Sequence, residues 1–509
     1  MGLACAPVPF RIDVIAYGRG AIGVAACPGA GTTTLAQDLA AITAVRPDAI
    51  VTLLSAHELK TLGRSDLPDL LPGLAPQWHH VPLRASGAPD ARFERLWTYT
   101  GHRLRALLRR GGMVLIHCDE GSVRARWAAA RLLTELGVPP GEAMAKARLR
   151  PLATTPPVTP RRPMADHHVA SRILGGLFAG AVGDALGYAV EFKSRAAIRK
   201  LYGETGLTQP KGRLVASDET QMTLYTADGL MTALAADGPK RREQILARIR
   251  YAYLAWFRTQ RDDWTPNATG LSQHRELWAV RAPGSTCLTA LHAGARGTID
   301  KPINDSKGSG AVMRVAPLGL VPSIDADEAF RLAHAAAALT HGHPSGRLSA
   351  AAFASLLRDL LDEIPMPTAL ARMEARLEGA AGGGETLTAV RLARGLADAD
   401  APPPAALASL GEGWVGEEAL AIGLYAVLRA GSLEETIRIA AIHDGDSDTT
   451  ASIAAQIWGV IHGLDGVPHE WVRQLDVVEP VCDVAGRMLA HTAETAITAP
   501  VRRLTPAWV

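Results

Sequence analysis

The sequence predicts two domains of different fold class: an α/β domain with a central sheet, residues 1–150, and an all-α domain, residues 166–509. A proline-rich segment divides them, because residues 151–163 hold five prolines in thirteen positions and cannot continue a helix. Strand-like and helical patterns alternate before this segment, whereas long alanine-rich helical runs follow it. We therefore take residues 151–165 as a linker.

Composition limits the class of protein. A chain of 509 residues is long enough for two or more full cores, and its net charge of +2 indicates no general attraction to nucleic acid. Five scattered cysteines without CxxC spacing favour a reducing compartment. The first eleven residues make a poor signal peptide, and no apolar run reaches the ~20 residues of a membrane span. We expect a cytoplasmic protein without a membrane partner.

The N-terminal elements follow α/β order. Residues 49–54 and 112–117 have the pattern of buried strands, residues 93–110 that of a helix entering the second strand, and residues 124–136 that of a helix leaving it. Residues 18–23 match GxGxxG, but Val24 to Pro28 follow where a dinucleotide-binding helix should begin, so we reject that function. Residues 29–34 lack the lysine of a P-loop.

The second strand ends in a reactive-thiol pattern. His117 and Cys118 close the strand, a glycine-containing turn follows, and Arg124 opens the next helix. Backbone N–H groups at such a helix start bind an anion, an arginine grips it with two hydrogen bonds, and the same field lowers the pKa of the thiol. The bland alternative for Cys118 is a buried core cysteine.

This pattern resembles the Cys-x5-Arg motif of protein tyrosine and dual-specificity phosphatases, over roughly residues 10–150. The resemblance implies Cys118 as nucleophile and Arg124 as phosphate ligand, with a phosphorylated ligand as partner. Two departures put turnover in question. Ala125 stands where the family has Ser or Thr, and the family's general-acid position falls near Ala85, for which Asp90 is the nearby substitute.

The C-terminal half is predicted to be nearly all helical. Seven apolar runs carry this prediction: residues 169–182, 222–235, 242–258, 325–340, 349–363, 417–430 and 450–462. Residues 379–384, which include four glycines, are expected to form a flexible surface loop. In the segment 173–192, which extends the first run, small residues at 176, 180, 183 and 187 share one face and permit close approach of another helix. Tight packing alone would leave Asp184 and Glu191 on that face unexplained.

Two further segments place hydroxyls and carboxylates at the start of an apolar helix. They are residues 217–220 (Ser-Asp-Glu-Thr) and residues 444–450 (Asp-Gly-Asp-Ser-Asp-Thr-Thr). Each alone fits an ordinary N-cap with acidic residues in the first turn. Two such segments in one domain favour a divalent-cation site, because neighbouring carboxylates repel one another unless a cation, a proton or solvent compensates.

The order of motifs resembles the ADP-ribosylglycohydrolase family, which includes the dinitrogenase-reductase-activating glycohydrolases. The resemblance covers about residues 166–490 and rests on five motifs at residues 183–191, 217–220, 310–319, 340–341 and 445–449. It implies an all-α domain that holds two Mg²⁺ or Mn²⁺ ions and removes ADP-ribose from a modified acceptor. One departure stands out, because the family has Asp where this chain has Glu219.

The resemblance also implies residue roles. Glu191 lies at the scissile bond, and Asp446 is both ligand and catalytic residue. The implied metal ligands are Ser217, Asp218, Glu219, Asp446, Asp448 and Thr449. The implied substrate-binding residues are Ser306, Gly308, Ser309, Gly310 and His341.

This chemistry is consistent with the residue types. Cleavage at the ribose anomeric carbon passes through an oxocarbenium-like state, in which cations orient the ribose and acidify the attacking water while a carboxylate such as Glu191 takes its proton. Hard oxygen ligands suit Mg²⁺ or Mn²⁺ rather than zinc. His341 and His343 lack a third soft ligand, so we favour a substrate-contact or loop role for them.

The first hypothesis is therefore a cytoplasmic glycohydrolase, with ADP-ribosylated protein arginine as the favoured acceptor, fused to a phosphatase-like module. A second is a binding protein, in which a phosphate-reading module is joined to a glycohydrolase fold without turnover. A third places the chemistry at Cys118 and makes the helical domain a scaffold. Serine, nucleic acid and small molecules stay open as acceptors.

Overall fold

The chain forms two compact units, Met1–Pro163 and Met164–Val509, in a computed structural model. The structure describes residues 10–85, 88–119, 123–149, 156–159, 164–203, 207, 212–236 and 242–498. Most of the predicted linker and the turn at residues 120–122 lie outside these ranges.

The first unit is an α/β fold, as predicted. Its elements are β1 (Ile12–Tyr17), β2 (Gly20–Ala25), α1 (Leu35–Ala44), β3 (Ala49–Thr52), α2 (Ala56–Thr61), α3 (Leu67–Leu70), β4 (Gln77–His80), α4 (Ala91–Arg109), β5 (Met113–His117), α5 (Val123–Glu135) and α6 (Pro140–Lys146).

The strand order in the five-stranded sheet is β1-β2-β5-β3-β4. β5 lies at the centre and pairs in parallel with β2 and β3, while β1 closes one edge as an antiparallel hairpin with β2. Buried apolar clusters cover the sheet with side chains such as Phe93 and Trp127 in one and Ile50 and Leu115 in the other. Cys118 therefore follows the most enclosed strand. Because residues 20–25 form β2, the GxGxxG match opens no helix.

The second unit is helical. Its elements are α7 (His167–Tyr188), α8 (Arg195–Tyr202), α9 (Asp218–Ala235), α10 (Arg242–Thr259), α11 (Ser285–His292), α12 (Ala316–Gly319), α13 (Ala326–Ala338), α14 (Pro344–Leu361), α15 (Met366–Glu378), α16 (Gly384–Asp398), α17 (Pro403–Leu410), α18 (Gly416–Arg429), α19 (Leu433–Ala441), α20 (Ser447–His462), α21 (His469–Gln474) and α22 (Val478–Thr498).

α7 and α20 cross so closely that their backbones touch at glycines. A Cβ added to Gly175 would overlap the carbonyl oxygen of Gly459, and one added to Gly459 would overlap that of Gly175. Farther along α7, a Cβ on Gly187 would overlap the Ser447 carbonyl oxygen at the start of α20. α20 therefore packs against the predicted small-residue face of α7, and this contact fixes the position of the acidic segment that begins α20.

α7 is long and apolar enough to cross a membrane by length and composition alone. However, 83% of that apolar window is buried inside the unit, as in a core helix.

Candidate metal centre and thiol motif

Asp184, on the penultimate turn of α7, ties that helix to the start of α9. Its carboxylate accepts hydrogen bonds from the backbone N–H groups of Ser217 and Thr220, each at 3.0 Å, and from the Ser217 hydroxyl at 2.6 Å. The Thr220 hydroxyl donates to it as well. These backbone groups are among the donors that a helix start leaves without an intrahelical partner. Asp184 thus caps α9 from another helix and orients Asp218 and Glu219.

The start of α20 supplies the facing carboxylates. Asp446 is the N-cap residue and accepts from Thr449 N at 3.3 Å, while Asp448 accepts from the same N–H at 2.9 Å. The Thr449 hydroxyl donates to Glu219 at 2.9 Å, which links the starts of α20 and α9. The ordinary cap and the acidic cluster that the sequence offered as alternatives are therefore both present at this helix start.

Two groups of carboxylates meet at Asp448. One oxygen each from Asp184, Glu219 and Asp448 lie within 4.8 Å of one another, and so do oxygens from Glu191, Asp446 and Asp448. All five residues are buried. Asp218 is also buried but belongs to neither group. Within the described ranges, its carboxylate accepts one long hydrogen bond, from Gly284 N at 3.4 Å.

Burial and repulsion between neighbouring negative charges raise the pKa values of these carboxyl groups. Burial, followed by the charge of Glu219, raises the pKa of Asp184 to about 7. Burial, Glu219 and Asp446 raise the pKa of Glu191 to about 8. The pKa values of Asp218 and Asp448 also lie well above the usual range, first because of burial and then because of Glu219. Among the described residues, no lysine or arginine forms an ion pair with these carboxylates.

The donor set fits divalent cations that prefer oxygen. Every candidate ligand is a carboxylate or a hydroxyl, which suits Mg²⁺ or Mn²⁺. Glu191 Oε2 is buried without a hydrogen-bond partner in the described part of the chain, so one ligand atom is uncommitted. The Ser217 hydroxyl contacts both Asp184 and Glu219 but carries a single proton, so the second contact requires either a proton on a carboxyl group or a nearby cation.

The predicted substrate-binding residues converge beside this centre. The Ser309 hydroxyl donates to Asp446 at 2.6 Å, and Ser309 N donates to Trp414 O at 3.0 Å. Gly308 and Gly310 face the His341 ring, since a Cβ at either position would lie 3.5 or 3.4 Å from His341 Nε2. Ser306 hydrogen bonds to Thr286 at the base of the same loop, 3.0 Å away.

The two neighbouring histidines have separate surroundings. His343 is the N-cap of α14, and its Nδ1 accepts from Ser345 N at 3.2 Å. His341 is buried and bonds to Thr340. His343 therefore has a structural role at the start of a helix, while His341 lies beside the loop that carries the candidate substrate-binding residues.

The sequence motifs include Asp184, Thr220, Arg314 and Thr340, but none of the four was assigned a role from the sequence. The sequence contains a clue to the importance of Asp184 and Arg314. Asp184 is a charge on an otherwise small and apolar helix face, and Arg314 is a charge inside an apolar segment between Gly310 and Gly319. Such isolated charges are expensive to bury without partners, which marks them as structural or functional.

The thiol motif of the first unit is enclosed. Cys118 is fully buried, and burial raises the pKa of its thiol to about 12 against the hydrogen bond from Ala125 N, which is 3.4 Å from Sγ. The expected anion-binding turn includes residues 120–122, outside the described residues. A thiol held in its neutral form is a poor nucleophile.

Arg124 is already engaged by protein groups. Its guanidinium donates to Glu58 Oε1 at 2.8 Å and to Leu83 O at 2.7 Å, and it pairs with Asp119 Oδ2 at 3.1 Å. Two carboxylates thus occupy the group that the motif assigns to a phosphate.

Asp90, the candidate general acid, caps α4 and accepts from Phe93 N and Arg84 Nε, each at 2.8 Å. Although partial burial opposes them, these bonds lower its pKa, which favours the ionised form over a proton donor.

Comparison with known proteins identifies the helical unit. A family model described as ADP-ribosylglycohydrolase matches residues 165–497. An ADP-ribosyl-[dinitrogen reductase] glycohydrolase of Rhodospirillum rubrum is 26% identical over 327 residues, covering 61% of this chain and 92% of that protein. An uncharacterised protein of Archaeoglobus fulgidus is 29% identical over 309 residues, covering 58% of this chain and 88% of its own.

Two solved structures are similar to parts of the chain. One is an ADP-ribosylglycohydrolase-related protein complex, 24% identical, with a TM-score of 0.42, covering 64% of this chain and 99% of that one. The other is a kinase-associated phosphatase with serine in place of its catalytic cysteine, 24% identical, with a TM-score of 0.26, covering 28% of this chain and 85% of that one.

Proposed function

Because the chain belongs to the ADP-ribosylglycohydrolase family, we propose that its helical unit hydrolyses the glycosidic bond between ADP-ribose and an acceptor with the help of two divalent cations. The observation that carries the metal requirement is the pair of buried carboxylate groups that share Asp448. A cluster of this charge without a basic partner is costly to bury, and two cations would offset that cost.

We assign the ligands by the side from which they come. Ser217, Asp218 and Glu219 would hold cations from the start of α9, and Asp446, Asp448 and Thr449 from the start of α20. Asp184 already accepts four hydrogen bonds or more, so we give it the role of orienting α9. Bound Mg²⁺ or Mn²⁺ would supply Lewis-acid chemistry that polarises the ribose and acidifies water.

Glu191 is the proposed general base. Its free Oε2 and its place beside Asp446 and Asp448 suit a group that receives a proton from water at the anomeric carbon. Its raised pKa, about 8, reflects burial and two neighbouring negative charges. Neutralising those charges lowers the pKa toward the range in which the residue accepts a proton near neutral pH.

We propose ADP-ribosylated protein arginine as the acceptor class. The resemblance of the sequence motifs to the family makes protein arginine the first hypothesis for the acceptor. The relative from Rhodospirillum rubrum is named for a modified protein, dinitrogen reductase. We also propose a cytoplasmic location and the boundaries 1–150, 151–165 and 166–509 for the two domains and their linker.

An assay of ADP-ribose release tests this function. We expect the full-length protein to release free ADP-ribose from an ADP-ribosylated arginine peptide with Mg²⁺ or Mn²⁺ and to lose that activity in chelator. Asp446→Ala should abolish release, whereas Asp444→Ala, a change two residues away in an exposed carboxylate that accepts from Arg195 N, should leave it intact. Undiminished release in chelator would contradict the metal mechanism. Release from an ADP-ribosylated serine peptide or nucleic acid alone would overturn the arginine assignment.

A second candidate function belongs to the first unit, because Cys118 and Arg124 lie together at the end of the central strand with Ala125 N beside the thiol. We propose binding of a phosphorylated ligand, with turnover opposed by Glu58 and Asp119 on Arg124. Slow hydrolysis of p-nitrophenyl phosphate that disappears in Cys118→Ser would support a thiol phosphatase. Hydrolysis that survives in Cys118→Ser excludes it, and vanadate binding without hydrolysis supports a binding module.

A further inference from the structure

Arg314 is a fully buried cation without a carboxylate partner among the described residues. Its guanidinium donates to Cys287 Sγ at 3.2 Å and to Thr340 Oγ1 at 2.5 Å, and it stands 4.5 Å from the centre of the Tyr253 ring. An arginine keeps its proton in proteins and has only donors. In its hydrogen bond with Thr340, Arg314 must therefore be the donor and the threonine oxygen the acceptor.

That direction decides the state of the next residue. The Thr340 hydroxyl has a single proton, and its other hydrogen-bond contact is His341 Nδ1 at 2.8 Å. The hydroxyl oxygen could accept from both neighbours, but its own proton would then have no acceptor among the contacts of the described residues. We therefore take the hydroxyl to donate to Nδ1, as the unprotonated nitrogen of a neutral ring. The ring proton then lies on Nε2, and Nε2 has no hydrogen-bond partner in the described part of the chain.

The Nε2 edge faces the loop that carries the candidate substrate-binding residues. Gly308 and Gly310 have no side chain beside this edge. A Cβ on Gly308 would lie 3.5 Å from His341 Nε2, and a Cβ on Gly310 would lie 3.4 Å from it. The next residue of the loop, Ser309, bonds to Asp446 in the acidic centre. A ligand seated on this loop would thus meet the metal centre on one side and the His341 N–H on the other.

We propose that Arg314 and Thr340 are positioning residues that hold His341 as the Nε2–H tautomer, so that its ring offers a fixed hydrogen-bond donor to a phosphate or ribose oxygen of the bound ligand. The ligand part of this proposal rests on the proposed function, whereas the tautomer part concerns the free protein alone. In this role His341 orients the ligand and takes no proton from it.

The surroundings support a permanently neutral ring. Burial and the positive charge of Arg314 lower the pKa of His341 to about 3. The same arginine points no donor at the ring itself, because Thr340 stands between them. The result is a one-way chain of hydrogen bonds, from Arg314 to Thr340 to His341.

The first test is spectroscopic and uses the full-length protein without substrate. With ¹⁵N-labelled histidine, and with the His341 signal identified by its loss in His341→Asn, we expect a single Nε2–H tautomer. Thr340→Val removes the hydroxyl and should give a mixture of tautomers, whereas Thr340→Ser keeps the hydroxyl and should retain the wild-type state. An Nδ1–H ring in the wild type, or an unchanged tautomer in Thr340→Val, would overturn the proposal.

The second test measures ligand binding. ADP-ribose should bind Thr340→Val about fivefold more weakly, the size of one neutral hydrogen bond, with KM raised similarly and kcat little changed. Thr340→Ser should bind as the wild type does. Thr386→Val is the matched control, because Thr386 is also buried and its hydroxyl has no hydrogen-bond partner among the residues that the structure describes.

The two tests separate the possible failures. A wild-type protein with the expected tautomer that neither binds nor releases ADP-ribose would contradict the proposed function and leave the positioning role standing. A wild-type protein that releases ADP-ribose while Thr340→Val matches it in tautomer and KM would contradict the positioning role alone.

Discussion

Glu219 links the two helix starts that form the acidic centre. Its carboxylate reaches from α9 to the Thr449 hydroxyl on α20, and it lies in one group with Asp184 and Asp448. It is also a principal charge, after burial, in raising the pKa values of Asp184, Glu191 and Asp448. The longer arm of glutamate, which departs from the family's usual aspartate, is therefore accommodated by a contact across the centre.

Glu219→Gln should separate repulsion from capping. The amide can still accept from Thr449 and donate to Ser217, so hydrogen bonding is largely kept while one negative charge is removed. We expect the metal-free protein to gain thermal stability and the stabilisation by Mg²⁺ or Mn²⁺ to shrink, as measured by thermal unfolding with and without cation. Asp444→Asn, at an exposed site, should change neither value. A lower melting temperature in the metal-free Glu219→Gln protein would indicate a purely structural carboxylate.

The acidic residues at a helix start are visible in the sequence as candidate ligands, but the residue that hydrogen bonds to the start of α9 is not. Asp446 and Asp448 stand in a motif whose spacing is visible in the sequence. Asp184 lies 33 positions before Ser217, and its four-donor environment exists only once α7 and α9 are packed together. The relay through Arg314 and Thr340 depends likewise on the direction of hydrogen bonds, which residue order does not encode.

At the scale of elements, the α7–α20 crossing sets the distance between Asp184 and the start of α20. At Gly175, Gly183 and Gly187 the backbones touch, and carbonyl oxygens of α20 define the separation there. Gly187 is the glycine of this face nearest the centre, because a Cβ there would overlap Ser447 O and crowd Asp448 Cα.

Gly187→Ala should therefore push the start of α20 away and weaken cation binding more than it weakens the fold. The measurement is isothermal titration with Mn²⁺ beside a thermal unfolding curve. Gly395→Ala is the matched control, since Gly395 lies inside α16 with nothing within 4 Å of an added Cβ. Alanine there should stabilise the helix by up to about 1 kcal/mol and leave binding unchanged. Equal cation affinity in Gly187→Ala and wild type would contradict the idea that the α7–α20 crossing positions the carboxylates for cation binding.

Elements with strong periodic signals were predictable, and shorter ones were not. α9 and α20 combine a capping segment with a long apolar run, and the sequence prediction of both is confirmed. The hairpin of β1 and β2 was missed because its glycines resembled a nucleotide-binding turn, and β4 because four residues, Gln77–His80, carry little apolar pattern. The register that joins β5 to β2 and β3 arises from tertiary packing.

At the scale of the whole molecule, the centre should make stability depend on pH and cation together. Asp184 has a folded pKa of about 7, above the ordinary value of an unfolded aspartate near 3.9. Between these values the folded protein retains a proton that the unfolded chain has released, so the free energy of unfolding falls as pH rises. The slope is on the order of 1 kcal/mol per pH unit for each such buried group.

Calorimetry of the full-length protein tests this dependence. In chelator, we expect the transition of the helical unit to be more stable at about pH 5.5 than at about pH 8, and Mg²⁺ to restore it more strongly at the higher pH. Cys118→Ser should leave that cation effect unchanged, because Cys118 belongs to the other compact unit. A transition that becomes more stable with rising pH in chelator would contradict the raised pKa values.

The crossing of α7 with α20 also has a consequence for protein synthesis. About 260 residues separate Asp184 from Asp448, so the ribosome must make most of the helical unit before the two can meet. At ordinary elongation rates this interval is roughly 13 to 50 s. Throughout it, the glycine-lined face of α7 lacks the helix that will cover it, and the nascent chain has only part of its cation site. Closure of this core, and with it completion of the candidate cation site, must therefore wait until α20 has been made.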